Sequence, residues 1–191
     1  MTDKSIKERI GIPMTNFDLE KYLAINPSDL IKYSELSDYK SIEELLPKED
    51  SFKVLLIEDK YNSGHFVGLF RFGKTIEYFN SYGEKYDTDW KFIPKMVRRI
   101  LGQATNDLTR LFKKAVKDGF NVVWNNKKLQ VLGDKIQTCG RYVVMRRHLG
   151  QMGFTKLDDF IQKLDALREH NKAENGGKLP SYDWIVSKYI D

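Results

Sequence analysis

Residues 65–80 read HFVGLFRFGKTIEYFN. Two runs rich in aromatic and β-branched residues flank Gly73, the composition of paired strands around a turn. The pattern predicts strands over 65–72 and 74–80 joined by a tight hairpin at Gly73. A turn there pairs positions whose numbers sum to about 146, which sets Asn80 opposite Phe66 and within one residue of His65.

Working outward, FKVLLIED (52–59) reads as a further strand ahead of the hairpin. Upstream, TNFDLEKYL predicts a short helix capped by Thr15 or Asn16. SIEELLPKE predicts another, with Ser41 and Glu44 in capping-box spacing. Downstream the period turns helical from Lys91 to Lys117, with Phe92, Ile93, Met96, Val97, Ile100, Leu101, Ala104, Leu108, Leu111, Phe112 and Ala115 as its apolar positions. Gly119 fits the stop. Residues 120–130 read as a fourth strand and VLGDKIQT as a loop. Helices follow from Cys139 to about Met152, over 155–170 with Thr155 as cap, and over SYDWIVSKYI. The expected fold class is α+β, with a mostly antiparallel central sheet flanked by helices. A chain of 191 residues predicts one domain, with a helical region over 1–50, a core over 51–152 and helices over 153–191.

Hydrophobic residues make up 41% of the chain, enough for a sizeable core. No run approaches the roughly 20 apolar residues of a membrane helix, and MTDKSIKERIGIPM lacks the apolar centre of a secretory signal. One cysteine and three scattered histidines predict neither an internal disulfide nor a structural zinc site. The net charge of +5 is uneven: ten Lys or Arg face two acids between Lys91 and Gln130. That segment is a candidate surface for non-specific DNA, through Arg98, Arg99, Lys113 and Lys114 above all. A solvated helix face accounts for the same charges.

Cys139 stands where a predicted helix begins, and there unpaired N–H groups and the helix dipole favour a thiolate. Gly140 behind it leaves room for a substrate backbone. A thiol needs a base. His148 lies nine residues along the same helix, about 13 Å up the axis, and cannot serve. His170 sits in a polar helix end, REHNKAENGG. His65 opens an apolar strand and is the remaining candidate, although a lone strand histidine is often structural. Asn80 is placed to orient its ring, and equally fits a turn former. An oxyanion needs a second donor besides the Cys139 N–H. Gln130, at a predicted strand end, is favoured over Gln137, which leaves little chain to fold back.

The ordered pieces GHFVGLF, YFNSYG, KLQ and TCGRYVV resemble the adenain-like and SUMO-protease (Ulp1-like) superfamily of cysteine proteases. YFNSYG and TCGRYVV are most similar to the capsid-maturation proteases of virophages, Polinton-type elements and large DNA viruses. The resemblance implies a papain-like core with the nucleophile at the start of a buried helix. It implies Cys139 as nucleophile, His65 as base, Asn80 as the ring-orienting residue and Gln130 as oxyanion donor. It implies cleavage of capsid or other virion precursors at glycine-containing sites, in the virion and the host cytoplasm and without a cofactor; a monomer is expected, though the sequence does not fix the oligomeric state. Phe66, Tyr82 and Trp124 are candidates for the walls of a narrow substrate tunnel. Asn80 departs from the Asp or Glu of many such enzymes. Two rivals are a ubiquitin- or SUMO-type protease of the same fold, and a basic nucleic-acid-binding module with a merely buried Cys139.

Overall fold

The computed structural model describes residues 3–88, 93–133 and 135–190. It divides into two compact units, Ile25–Lys127 and the pair of segments Met1–Ala24 with Lys128–Asp191. The fold is α+β, with a five-stranded sheet and helices packed beside it.

The Ile25–Lys127 unit holds the sheet. Its strands are β1 (Leu30–Lys32), β2 (Phe52–Lys60), β3 (Ser63–Phe72), β4 (Thr75–Phe79) and β5 (Asn121–Trp124), in that spatial order. The β2–β3 and β3–β4 pairs are antiparallel, while β1–β2 and β4–β5 are parallel. The sheet is thus antiparallel through its three long central strands, β2, β3 and β4, with the short β1 and β5 added in parallel at its two edges. Strand β1 is three residues long, too short to leave a period in the sequence. The parallel β5 returns through a helical crossover, as parallel pairs require.

Among the described residues, three α-helices belong to this unit: α3 (Ile42–Leu45), α4 (Lys95–Ile100) and α5 (Asp107–Lys117). Leu108, Leu111, Phe112 and Ala115 of α5 pack with Leu55, Ile57, Val67, Leu69, Ile76 and Tyr78 of the sheet. Burying one such side chain stabilises by roughly 1.5–3 kcal/mol, so this face carries much of the unit's stability.

The single helix expected over 91–117 is two. Lys91 and Phe92 lie outside the described residues. Between α4 and α5, Gly102 takes φ +69. The buried Gln103 then leaves the helical path to bond the backbone of β2: its Oε1 accepts from Glu58 N–H at 2.9 Å and its Nε2 donates to Glu58 O at 2.7 Å. A helical period spanning 91–117 could not foresee that bond. The expected strand over 120–130 stops at Trp124, because Asn125 turns the chain: its Oδ1 accepts from Lys127 N–H and its Nδ2 donates to Lys127 O.

The other unit is helical: α1 (Asp3–Ile10), α2 (Asn16–Leu23), α6 (Cys139–Gln151), α7 (Leu157–His170) and α8 (Tyr182–Tyr189). Thr15 caps α2 in a full capping box with Asp18. In α3 only half of the expected box forms, since Glu44 accepts from Lys40 N–H and not from Ser41. Helix α7 starts after Lys156, and Thr155 instead offers its carbonyl to the buried Arg146. Helix α6 is buried nearly all round and contacts α2, α7 and α8.

Gly64 shows how tightly β2 and β3 approach beside His65. A Cβ built there would lie 2.0 Å from Ile57 O, a backbone atom with nowhere to go. We expect Gly64→Ala to destabilise the protein by about 2 kcal/mol or more, measured as a lower urea midpoint at unchanged m-value.

Candidate active site

The hairpin decides which side chains meet. Its observed register pairs Phe72 with Thr75 and Gly68 with Phe79, a sum one greater than expected. The difference matters because side chains alternate faces along a strand. A sum of 146 would set Asn80 opposite Phe66, on the face away from His65. The true register continues to Asn80 opposite Val67, on the same face as His65 and diagonal to it. His65 Nε2 and Asn80 Oδ1 are 2.8 Å apart.

Asn80 is fully buried and is also a turn residue. Its carbonyl accepts from Gly83 N–H at 2.9 Å, and its Oδ1 accepts from Tyr82 N–H at 3.0 Å. The two roles are one arrangement. A backbone N–H only donates, so the side-chain atom it meets is the amide oxygen. That same oxygen faces Nε2, which must therefore carry the hydrogen. The ring is left as the Nε2–H tautomer, with a lone pair on Nδ1. Nδ1 is buried and has no hydrogen-bond partner among the described residues. Burial pushes the imidazole down to about 4, against a smaller upward pull from the bond to Asn80. The ring is neutral at pH 7 and able to accept a proton.

Neighbours hold this pair from both sides. The Tyr82 ring stacks on the imidazole, with centroids 4.3 Å apart and planes 18° apart. Asn125 Nδ2 donates to Asn80 O at 2.8 Å from the end of β5. Farther along the 81–88 loop, Tyr86 packs edge-on against Phe112 and Tyr78. Asp87 accepts from Tyr33 OH at 2.6 Å and from Thr109 N–H at 2.7 Å. Of the three aromatic wall candidates, Tyr82 joins His65. Phe66 is buried on the other face of β3, and Trp124 packs against Tyr86 under Lys85.

In the helical unit, Cys139 is the first residue of α6 and is half-buried. The preceding Thr138 gives the helix no side-chain cap. Its hydroxyl instead donates to Asp183 Oδ1 at 2.5 Å. The first-turn N–H groups of a 13-residue helix thus keep their affinity for negative charge. The space behind Gly140 is not open to a substrate: Met14 and Leu19 fill it, and a Cβ would lie 3.1 Å from Met14 Cβ. Glycine there serves close helix packing. Gln130 is buried and lies six residues beyond the end of β5, not at a strand end; its Nε2 donates to Ile136 O at 3.3 Å. Gln137 is half-buried and its N–H donates to Ile10 O. His148 bonds Tyr22 O, and His170 is exposed at the end of α7.

The basic segment is partly consumed by structure. Arg110 folds onto Leu36 O, Tyr39 O and Asp107, and Lys114 pairs with Asp118 at 2.7 Å. Arg99 and Lys113 are exposed and Arg98 is half-buried. Among the described residues, no group of three or more His, Cys, Asp or Glu could hold a metal ion, and no helix is long and apolar enough to cross a membrane.

Sequence reading missed Asn125 and Asp183. Asn125 announced only a turn, in WNNKK, and Asp183 resembled any acid favouring its own helix N-terminus, in SYDW.

No family model matches the chain. A Sputnik virophage protein carrying the name Uncharacterized protein V9 is 34% identical over 160 residues, 82% of this chain and 89% of the relative. A crystal structure of the selenomethionine ASFV pS273R protease superimposes with a TM-score of 0.46 at 16% identity, over 96% of this chain and 69% of that one.

The depressed imidazole has a consequence for stability. Its folded value lies below the ordinary 6.5, so the unfolded chain binds the proton first as pH falls. Stability should therefore drop between pH 6.5 and 4. The native protein should lose about 2 kcal/mol more than His65→Gln between pH 7 and pH 4.5, measured by urea unfolding at both values.

Proposed function

The chain belongs to the same family as the Sputnik virophage V9 protein, and from that footing we propose that it is a cysteine endopeptidase of virion precursor proteins. The observation that carries this reading is the His65 tautomer: Nε2–H fixed by Asn80, and Nδ1 buried with a lone pair and no partner among the described residues. A structural strand histidine gains nothing from a buried, unsatisfied nitrogen. A base needs one.

Catalysis on this reading runs in two halves. The Cys139 thiol gives its proton to His65 Nδ1 as Sγ attacks the peptide carbonyl carbon. The oxyanion takes hydrogen bonds from the Cys139 N–H and the Gln130 side-chain amide. The imidazolium returns the proton to the leaving amine, the C–N bond breaks, and an acyl-thioester remains. Water then attacks the thioester, giving its proton to Nδ1, and the acid product leaves as Sγ regains a proton. Asn80 holds the ring by its amide oxygen and adds no negative charge, so the resting imidazole is neutral.

The virophage relative accords with a substrate of viral origin, and within that class the reading takes a capsid or other virion precursor. A glycine at the cleaved bond accords with the Tyr82 ring stacked on His65, which leaves little room for a side chain there.

Cys139→Ala and His65→Ala should each abolish cleavage of a capsid precursor with the fold intact, since the pair acts as a unit. Asn80→Ala should retain more activity than either. The assay is gel-resolved processing of the virion precursor, with a ubiquitin-like precursor as the alternative substrate. Processing that persists in Cys139→Ala would remove the reading.

A further inference from the structure

A buried carboxylate in the helical unit has no place in the mechanism above. Asp183 lies in the first turn of α8 and is 2% exposed. Its oxygens turn to the chain between Gln130 and Cys139. Oδ1 accepts from the Thr138 hydroxyl at 2.5 Å and the Tyr142 hydroxyl at 3.2 Å. Oδ2 accepts from Val131 N–H at 3.1 Å. The Tyr142 hydroxyl also lies 3.0 Å from Leu129 O, so its one proton is shared between that carbonyl and the carboxylate.

The positions of these donors are informative. Thr138 is the residue immediately before Cys139. Val131 is the residue immediately after Gln130. One side chain grips both ends of the segment that separates the two, and Tyr142 adds a hold on Leu129 at the near side of Gln130. At the Val131 end, the Val131 side chain and the following Leu132 and Gly133 are exposed, and Gly133 takes φ +157. A segment of this length on the surface would otherwise sample many conformations.

We propose, resting on the cysteine-protease reading, that Asp183 is a positioning residue of the oxyanion hole: it fixes the Gln130 amide relative to the Cys139 N–H. Two donors stabilise a tetrahedral intermediate only when both sit at hydrogen-bond distance from one oxygen. They come from different turns of chain, so something must set their separation. A carboxylate bound at both ends does so. Burial pushes its carboxyl above the ordinary range, and the hydroxyl and N–H donors pull it back.

The test is a double-mutant cycle on a fluorogenic peptide ending in Gly-Gly-aminomethylcoumarin. Asp183→Asn keeps the size of the side chain but turns an amide N–H toward one of its donors. It should lower kcat by about tenfold or more with KM within about twofold, because the loss falls on the transition state. In a Gln130→Ala background the same change should cost less than about twofold, since the donor it positions is gone. A loss of equal size in both backgrounds overturns the proposal, as does an unchanged kcat. Thr138→Val removes one grip only and carries the same cycle if Asp183→Asn does not fold. Native protein that turns over no peptide removes the protease reading, and the positioning claim then rests on amide exchange. Faster exchange at Val131 and Cys139 in the variant, with the thermal midpoint held, upholds the clamp; unchanged exchange overturns it.

Discussion

Asn80 Oδ1 accepts two hydrogen bonds, one from the Tyr82 backbone and one from His65 Nε2. The chemistry open to the site depends on that atom. The first bond identifies it as oxygen, the second assigns the proton on the ring, and together they leave the lone pair on Nδ1. An aspartate could do the same and add charge, which would favour a protonated imidazole. The amide fixes orientation without that bias, so the imidazole stays neutral at pH 7.

The sheet and the turn after β4 hold this junction in place. Gly64 lets β2 and β3 close beside His65, and the hairpin at Gly73 sets the register that brings Asn80 to the same face. Asn125 and Asp87 then pin the turn and loop that follow. The helical unit solves a separate problem. Its buried α6 presents Cys139 at an end left uncapped because Thr138 is turned to Asp183. Both units thus place buried polar groups, which need partners to be tolerated, at the residues with chemical potential.

Local patterns in the sequence carried far. Strands β2 to β4, the start of α6 at Cys139 and the Thr15 cap of α2 all follow from period and capping chemistry. His65 and Asn80 were recognisable as neighbours, even though the turn arithmetic was off by one residue and would have set them on opposite faces. The failures share a cause. Gln103 breaks a helical period to bond Glu58, 45 positions away. Asp183 reaches back 45 positions to Thr138. The room at Gly140 belongs to Met14, far upstream. In sequence, a polar side chain with a distant partner resembles any solvated residue, and only folding reveals the bond. Strand β1 failed differently, being too short to show a period at all.

The proton on the His65 ring decides which nitrogen can act as base, and nitrogen-15 spectroscopy of the imidazole side chains reads its position directly. At neutral pH His65 should show a protonated Nε2 and an unprotonated Nδ1, and the Nδ1 resonance should shift when Cys139 is alkylated with iodoacetamide. A proton on Nδ1, or an Nδ1 resonance indifferent to the state of Cys139, would contradict it.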